Sequence, residues 1–303
     1  MAPHREGFDS VAMENPGIKI GAVIPAYNAA RFLPRCLESV FAQTLKPAEV
    51  IVVDDGSTDN TAALARELGA RVVSEANAGI SCARNNGIRN ASSEWIALLD
   101  ADDIWAPSKL ERQAARIRSD TVLVYTGVRL FDDNGIRSEA RAIDPVSARK
   151  MLRFCNPIAQ STVLVKREAV LRAGGFREGL RTCEDWGLWV RLMPLGQFEA
   201  VPDPLMDYYV HSASVSANPE AMMLGTRQIL DKTLVADLQG FDRWAWRHRI
   251  LATQLASAGL IARDNGLKSE LGYMFQSLCM WPSPFWEPKR FAMFGASVRN
   301  RLR

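Results

Sequence analysis

The chain has 303 residues, 48% hydrophobic and 23% charged, which is the composition of a globular protein with one large domain or two smaller ones. Its net charge of +3 is too small to indicate nucleic acid as a partner. The excess of positive charge is C-terminal, because residues 220–303 hold 12 basic and 7 acidic side chains.

Five widely spaced cysteines contain no CxxC pair, which predicts reduced thiols rather than a disulfide framework or a structural zinc site. They are Cys36, Cys82, Cys155, Cys183 and Cys279. Residues 1–17 lack the apolar core of a signal peptide and are expected to be flexible. No run approaches the roughly 18 apolar residues of a membrane span. These features predict a cytoplasmic location.

Strands and helices alternate through the first part of the chain. Apolar runs predict strands at 18–28, 48–57, 71–75 and 94–100. Segments with helical spacing or helix-capping residues predict helices at 29–43, 57–69, 80–91 and 107–119. Alternation at this spacing favours an α/β fold with a mainly parallel, doubly wound sheet.

The pattern becomes less regular after residue 120. Residues 122–143 predict two strands around an Asn134-Gly135 turn, and 160–176 predict a strand followed by a short helix. A further helix is expected at 183–193, with two acidic residues in its first turn. From about residue 220 the chain is predicted to be helical, notably at 241–262 and 267–280.

Polar residues or glycine follow each of the first four predicted strands, at the edge where doubly wound sheets bind ligands. After the fourth strand, Asp100, Asp102 and Asp103 place three carboxylates within four residues. Such a group repels itself unless a cation lies among the acids, and Mg²⁺ or Mn²⁺ commonly shares oxygen ligands of this kind with substrate phosphates. An Asp-x-Asp pair alone is weak support, since most acidic loops are solvated surface.

Six stretches, in this order, resemble the nucleotide-sugar-dependent glycosyltransferases of family 2, which have the GT-A (Rossmann-like) fold. They are "AVIPAYNAARFLPRCLESVFAQT" (22–44), "EVIVVDDGSTDNTAALA" (49–65), "NAGISCARNNGI" (77–88), "WIALLDADDIWAPSKL" (95–110), "CEDWGLWVRL" (183–192) and "YYVHSASVS" (208–216). The resemblance implies a catalytic domain over 18–216, with a nucleotide-sugar-binding half (18–110) and an acceptor half (111–216). Residues 217–303 would form a helical C-terminal extension with a basic, aromatic tail.

The resemblance also implies roles for individual residues on the donor side. Tyr27 would pack on a uracil-like base, and Asp103 would face the donor sugar. Asp102 matches the metal ligand of the family, with His211 as a second candidate, for Mn²⁺ or Mg²⁺. The implied donor-binding set is Pro25, Ala26, Tyr27, Asn28, Asp54, Asp55, Asn77, Gly79, Arg84, Asp100, Ala101 and Asp103.

In the acceptor half, Asp185 falls where inverting members of the family keep the catalytic base, with Glu184 and Trp186 on the acceptor side. An inverting transfer needs a base for the acceptor hydroxyl and a Lewis acid for the departing diphosphate. The alternative for Trp186 is a core stripe with Trp189 and Leu192, which share its face of the predicted helix. Tyr27 could likewise pack in the core.

The resulting hypothesis is an inverting, metal-dependent glycosyltransferase that uses a nucleotide-sugar donor and a glycan or lipid-linked acceptor. Two alternatives stay open: a nucleotide-sugar sensor or scaffold without turnover, and a nucleotidyltransferase, although the glycine-rich phosphate loop typical of the latter is missing. The tail at 281–303 combines aromatic and basic residues, which suits peripheral contact with an anionic membrane. Packing of the tail on the catalytic domain is the competing interpretation.

Overall fold

The computed structural model describes residues 17–211, 215–283 and 289–302. Apart from Gly17, the N-terminal segment predicted to be flexible lies outside these residues. Nine strands of the described part form one sheet. They are β1 (Ile20–Ala26), β2 (Glu49–Asp55), β3 (Arg71–Glu75), β4 (Trp95–Leu98), β5 (Ile104–Trp105), β6 (Thr121–Asp132), β7 (Gly135–Ala140), β8 (Leu164–Lys166) and β9 (Gln197–Tyr209).

Helices cover both faces of the sheet and form most of the C-terminal region. They are α1 (Leu33–Phe41), α2 (Thr61–Glu67), α3 (Ile80–Asn90), α4 (Lys109–Ala114), α5 (Pro145–Met151), α6 (Arg167–Arg172), α7 (Glu184–Leu192), α8 (Pro219–Ile229), α9 (Gly240–Asp264), α10 (Glu270–Met280) and α11 (Lys289–Leu302). A short 3-10 turn, Gln160–Thr162, precedes β8.

The strand order is β3-β2-β1-β4-β8-β6-β9-β5, with β7 paired to β6. The strands β1 to β4 pair with one another in parallel, as predicted. β8 is antiparallel to both β4 and β6, and β5 is antiparallel to β9, whereas β6 and β9 are parallel. The α/β class is confirmed, but the sheet as a whole is mixed, because its second half uses a hairpin and long connections in place of strand-helix-strand crossovers.

Two apolar layers enclose the first half of the sheet. β1 is buried along its whole length, as a strand covered on both faces must be. Val23 belongs to the cluster that includes α3, and Ile24 to the cluster that includes α1 and α2. Gly87 of α3 lies against the sheet so closely that a Cβ there would come within 2.4 Å of the Val23 side chain. This close packing holds α3 in a fixed position against the face of the sheet.

The predicted hairpin is present, since β6 ends at Asp132 and β7 begins at Gly135, whose φ of 114° suits glycine. β9 was not predicted as a strand. Pro202 and Pro204 interrupt its alternation, and its register against β6 shifts between Thr126 and Gly127. β9 nevertheless leads directly to the segment that contains His211, so it positions part of the candidate site.

The C-terminal helices pack against the part of the chain that contains the sheet. Residues of α8 and α9 share one hydrophobic cluster with α7 and with β6 and β8. Gly225 of α8 contacts the chain just before α7, where a Cβ would come within 2.6 Å of the Thr182 carbonyl oxygen. The predicted helices at 241–262 and 267–280 are present as α9 and α10. The C-terminal region is therefore part of what holds α7 in place.

The five cysteines all lie in the described part of the chain, and none is bonded to another. Within the same residues, no helix combines the length and the apolar character that crossing a bilayer requires.

Candidate functional site

The loops after β1 and β2 are joined by hydrogen bonds at the carboxyl edge of the sheet. Asn28 adopts a left-handed φ of 49°, and its side-chain oxygen accepts a hydrogen bond of 2.8 Å from the backbone amide of Thr58. The ring of Tyr27 is left 52% exposed beside these loops, so the structure does not place it in the core. Pro25 and Ala26, which belong to the predicted donor-binding set, are buried within β1.

Asp54 and Asp55 are both buried at the end of β2. The carboxylate of Asp55 accepts hydrogen bonds from the backbone amides of Ala78, at 2.7 Å, and Gly79, at 3.0 Å. These amides lie at the N-terminus of α3, where a negative charge is favourable. Asp55 therefore joins the second strand to the loop that precedes α3, and this loop contains the exposed Asn77.

The three acids after β4 each have a different partner. Asp100 is paired with Arg84 at 2.7 Å, and Asp102 lies 2.9 Å from the Nε2 atom of His211. Asp103 is 1% exposed and accepts a 3.2 Å hydrogen bond from the backbone amide of Tyr209. The resemblance implied that Asp103 faces the donor sugar, whereas the structure places its side chain in the interior. The neighbouring Ala101, also predicted to bind donor, is buried as well.

The repulsion between the acids of this loop contributes to the pKa values of two of its carboxyl groups. Burial, followed by the charges of Asp102 and Asp100, raises the pKa of Asp103 well above its usual range. Burial and the charge of Asp100 also raise the pKa of Asp102, against the lowering effect of its hydrogen bond to His211. The loop thus favours the binding of a proton or a cation.

Arg84 supplies a positive charge beside the crowded acids that follow β4. Its guanidinium is 2% exposed and bonds Asp100 at 2.7 Å and Glu184 at 2.6 Å. It also lies over the ring of Phe176, with its central carbon 5.4 Å from the ring centroid. The two carboxylates raise the pKa of Arg84, although burial opposes them. The two terminal nitrogens of the guanidinium group already donate to these carboxylates. The structure therefore favours a bridging role for Arg84 over direct contact with the donor.

Asp185 lies at the N-terminus of α7, beside Glu184. The preceding residue, Cys183, has a left-handed φ of 62°, which turns the chain sharply into the helix. The carboxylate of Asp185 accepts hydrogen bonds from the side-chain amide of Asn156, at 2.8 Å, and from the backbone amide of Trp186, at 2.6 Å. Burial and the charge of Glu184 raise the pKa of Asp185 to about 7, a value suited to a general base at neutral pH.

Two residues of the site were missed in the sequence. Asn156 holds the carboxylate of Asp185, and the hydroxyl of Ser161 accepts a 3.0 Å hydrogen bond from the backbone amide of Asp100. Both come from the stretch between α5 and β8. A single asparagine and a single serine in an irregular segment carry no periodic or motif signal, so only the fold brings them to the site.

Trp186 was predicted on the acceptor side, but it is 2% exposed and its indole N–H donates to the backbone carbonyl of Leu152 at 2.7 Å. Trp189 and Leu192, on the same face of α7, are also fully buried. The packing therefore supports the core interpretation of this stripe, in which Trp186 anchors the helix that carries Asp185.

Asp102 and His211 are the residues that could hold a metal ion. A carboxylate oxygen and an imidazole nitrogen already lie 2.9 Å apart, and both are donor types that Mn²⁺ accepts. Phe32 stacks on the His211 ring, at 5.5 Å between centroids, and fixes its plane. Among the described residues, no group of three or more His, Cys, Asp or Glu side chains is placed so that it could hold a metal ion.

The fold is that of the GT-A glycosyltransferases. The mannosyltransferase PcManGT from Pyrobaculum calidifontis, solved in complex with GDP-Man and Mn²⁺, matches with a TM-score of 0.59 at 20% identity. The match covers 93% of this chain and 86% of PcManGT.

The sequence comparisons define the family. The family described as Glycosyl transferase family 2 matches residues 22–170. EpsE of Bacillus subtilis (strain 168) is 30% identical over 193 residues, 60% of this chain and 69% of EpsE. WfaP of Escherichia coli, a UDP-Glc:alpha-D-GlcNAc-diphosphoundecaprenol beta-1,3-glucosyltransferase, is 31% identical over 206 residues, 66% of this chain and 80% of WfaP. The chain belongs to glycosyltransferase family 2, as its motifs predicted.

The Arg84 bridge yields a prediction about stability. Arg84→Met should lower the free energy of unfolding by about 3–5 kcal/mol, because it leaves the carboxylates of Glu184 and Asp100 without their shared cation. Adding Glu184→Gln to this variant should restore part of the loss, since one uncompensated charge disappears. Urea unfolding at pH 7 measures both effects. The exposed Arg66 of α2 is the matched control, and its replacement by Met should change stability by under about 0.5 kcal/mol. An equally small effect at Arg84 would contradict the bridging role.

Proposed function

We propose that the protein is an inverting, metal-dependent glycosyltransferase of surface polysaccharide or glycoconjugate synthesis. It would move a sugar from a nucleotide diphosphate sugar, most simply a UDP-sugar, to a hydroxyl group of a glycan or lipid-linked acceptor. One observation carries the proposal: Arg84 joins the acid cluster after β4 to the helix that presents Asp185. The named activity of WfaP supports a UDP donor and a lipid-linked diphosphate acceptor.

On the acceptor side, Asp185 would take the proton of the attacking hydroxyl group. The oxygen then forms a bond to the anomeric carbon while the bond from that carbon to the diphosphate breaks on the opposite face, with its electron pair leaving on the diphosphate. Asn156 orients the carboxylate, and the raised pKa makes it a stronger proton acceptor than an ordinary aspartate. A single base of this kind is what an inverting transfer requires.

On the donor side, the exposed ring of Tyr27 would stack on the base, beside the loops that Asn28 and Asp55 hold together. Asp102 and His211 would hold Mn²⁺ or Mg²⁺, which when bound supplies positive charge for the departing diphosphate. Arg84 holds the carboxylate of Asp100 in place next to Asp102. The Mn²⁺ in the PcManGT structure supports the presence of such an ion in this fold.

The metal assignment is tested with Asp102→Ala. This variant should lose the rise in melting temperature that a UDP-sugar gives with Mn²⁺, and should lose release of nucleoside diphosphate, because one of the two proposed protein ligands is gone. Thermal shift across a panel of nucleotide sugars, followed by product analysis, measures both. Asp264→Ala, at an exposed aspartate that ends α9, is the matched control and should behave as wild type.

Unchanged turnover of Asp102→Ala at saturating Mn²⁺ would remove Asp102 from the metal site. In the wild type, donor binding without any turnover in the presence of acceptors would instead support a sensor, and release of pyrophosphate would support a nucleotidyltransferase.

The base assignment is tested with Asp185→Asn. Transfer should fall by about two to four orders of magnitude while donor affinity is kept, because the amide cannot accept the hydroxyl proton. Wild-type kcat/KM should rise with pH through about 7 as Asp185 ionises, and Glu184→Gln should move this limb to lower pH by removing a like charge.

Stability supplies the control for the same variant. The native carboxyl binds its proton more tightly than the unfolded chain does, so the native state loses stability as pH rises from 3.8 to about 7. Asp185→Asn has no such loss and should be at least as stable as wild type at pH 8. A variant that loses donor affinity in proportion to transfer would reassign Asp185 to a structural role.

Peripheral contact with the inner, cytoplasmic face of an anionic membrane is proposed for the tail at 281–303. Arg290 is 3% exposed and donates to the carbonyl oxygens of Ser277 and Trp281, so this cation packs against α10. Lys289 and Phe291 are exposed on α11, whereas 284–288 and the side chains after Ser297 lie outside the description. In a flotation assay at low salt, the full chain should float with anionic liposomes, whereas a chain that ends at Met280 should not. Equal flotation of both would assign the tail to packing.

A further inference from the structure

A cavity of about 590 Å³ has none of the acids after β4 among its lining residues. It lies between the C-terminal half of α3, the end of α6, the loop at 174–178 and α7. Three arginines line it, Arg89, Arg177 and Arg191, and none of them forms an ion pair with a carboxylate of the described residues. The lining also contains one acidic residue, Glu178, which is exposed.

The guanidinium of Arg191 is held only by uncharged groups. It donates to the carbonyl oxygens of Gly187 at 3.0 Å and Gly175 at 2.8 Å, and to that of Ala173. These bonds fix the guanidinium at the cavity wall without neutralising its charge. Burial and the nearby charge of Arg177 both lower the pKa of Arg191, which shows that two cations are brought together here. An anion in the cavity would relieve this repulsion.

We propose that this cavity is a binding site for a phosphate-class oxyanion. Guanidinium groups bind such anions through charge-assisted hydrogen bonds, and three of them line this cavity. The cavity is much larger than a phosphate ion, so it has room for a sugar that carries the phosphate. The same chemistry could be supplied by free phosphate or by a phosphate group on a glycan.

The cavity is connected to the reaction site through α3. The side chain of Asn85 accepts from the backbone amide of Phe176 at 2.7 Å and donates to its carbonyl at 2.8 Å, which ties the cavity loop to α3. The ring of Phe176 then lies against Arg84, the bridge to Glu184. An acceptor phosphate bound here would therefore stabilise the arrangement around Asp185. This reading of the ligand as part of the acceptor rests on the proposed transferase function, whereas oxyanion binding does not.

The test uses the full chain without donor or metal, so that its outcome is independent of transfer activity. Inorganic phosphate, a hexose 1-phosphate and the unphosphorylated hexose are titrated by calorimetry, with sodium chloride holding the ionic strength constant. Hydrogen exchange locates the bound probe. The Arg89→Gln and Arg177→Gln double variant removes two of the cations, and Arg172→Gln, at an exposed arginine of α6 that does not line the cavity, is the matched control.

Phosphate should protect the 174–178 loop and the end of α3 from exchange, and its affinity should fall by about tenfold or more in the double variant and not in the control. Tighter binding of the hexose 1-phosphate than of phosphate would identify a sugar-borne group, and equal binding would identify free phosphate. The absence of protection at this loop in the wild type, or equal phosphate affinity in the wild type and a folded double variant, would overturn the proposal. Hydrogen exchange of the wild type tests phosphate binding at this loop even if the double variant fails to fold.

Discussion

The guanidinium of Arg84 lies between two carboxylates that come from different halves of the domain. Asp100 follows β4, the last of the first four parallel strands, and Glu184 begins the helix that presents Asp185. α3 carries Arg84 and is itself held against the sheet by the close contact at Gly87. Replacing both partners of a buried ion pair by apolar residues often changes the free energy of unfolding little, whereas removing only one partner lowers it strongly. Its value here is geometric, because it fixes the distance between the acid cluster and the candidate base.

Negative charge is in excess throughout this edge of the sheet. Asp100, Asp102, Asp103, Glu184 and Asp185 face one buried arginine and one histidine. Burial, together with this imbalance of charge, raises the pKa of Asp102, Asp103 and Asp185 and makes this edge of the sheet favour cations and protons. Such an arrangement lowers stability, and carboxyl groups with raised pKa values are a common feature of functional sites.

The C-terminal helices contribute to the site although the family motifs do not extend to them. α8 packs at Gly225 against Thr182, one residue before the left-handed Cys183. The thiol of Cys183 lies 3.8 Å from the carbonyl oxygen of Met222 in α8. Contacts from beyond residue 217 therefore fix the turn that leads into Asp185. The boundary predicted at 216 separates sequence regions, but the hydrophobic core is continuous across it.

The sequence by itself determined the α/β class, the alternation of β1 to β4 with their helices, the β6–β7 hairpin and the family, because these depend on local periodicity, turn chemistry and short motifs. It also indicated Asp102, His211 and Asp185 through those motifs. The tertiary structure alone decided how the side chains are used. Trp186 and Asp103 turn inward, Arg84 bridges acids, and Asn156 reaches Asp185, because each of these contacts joins residues far apart in the chain and depends on where the sheet and α7 meet.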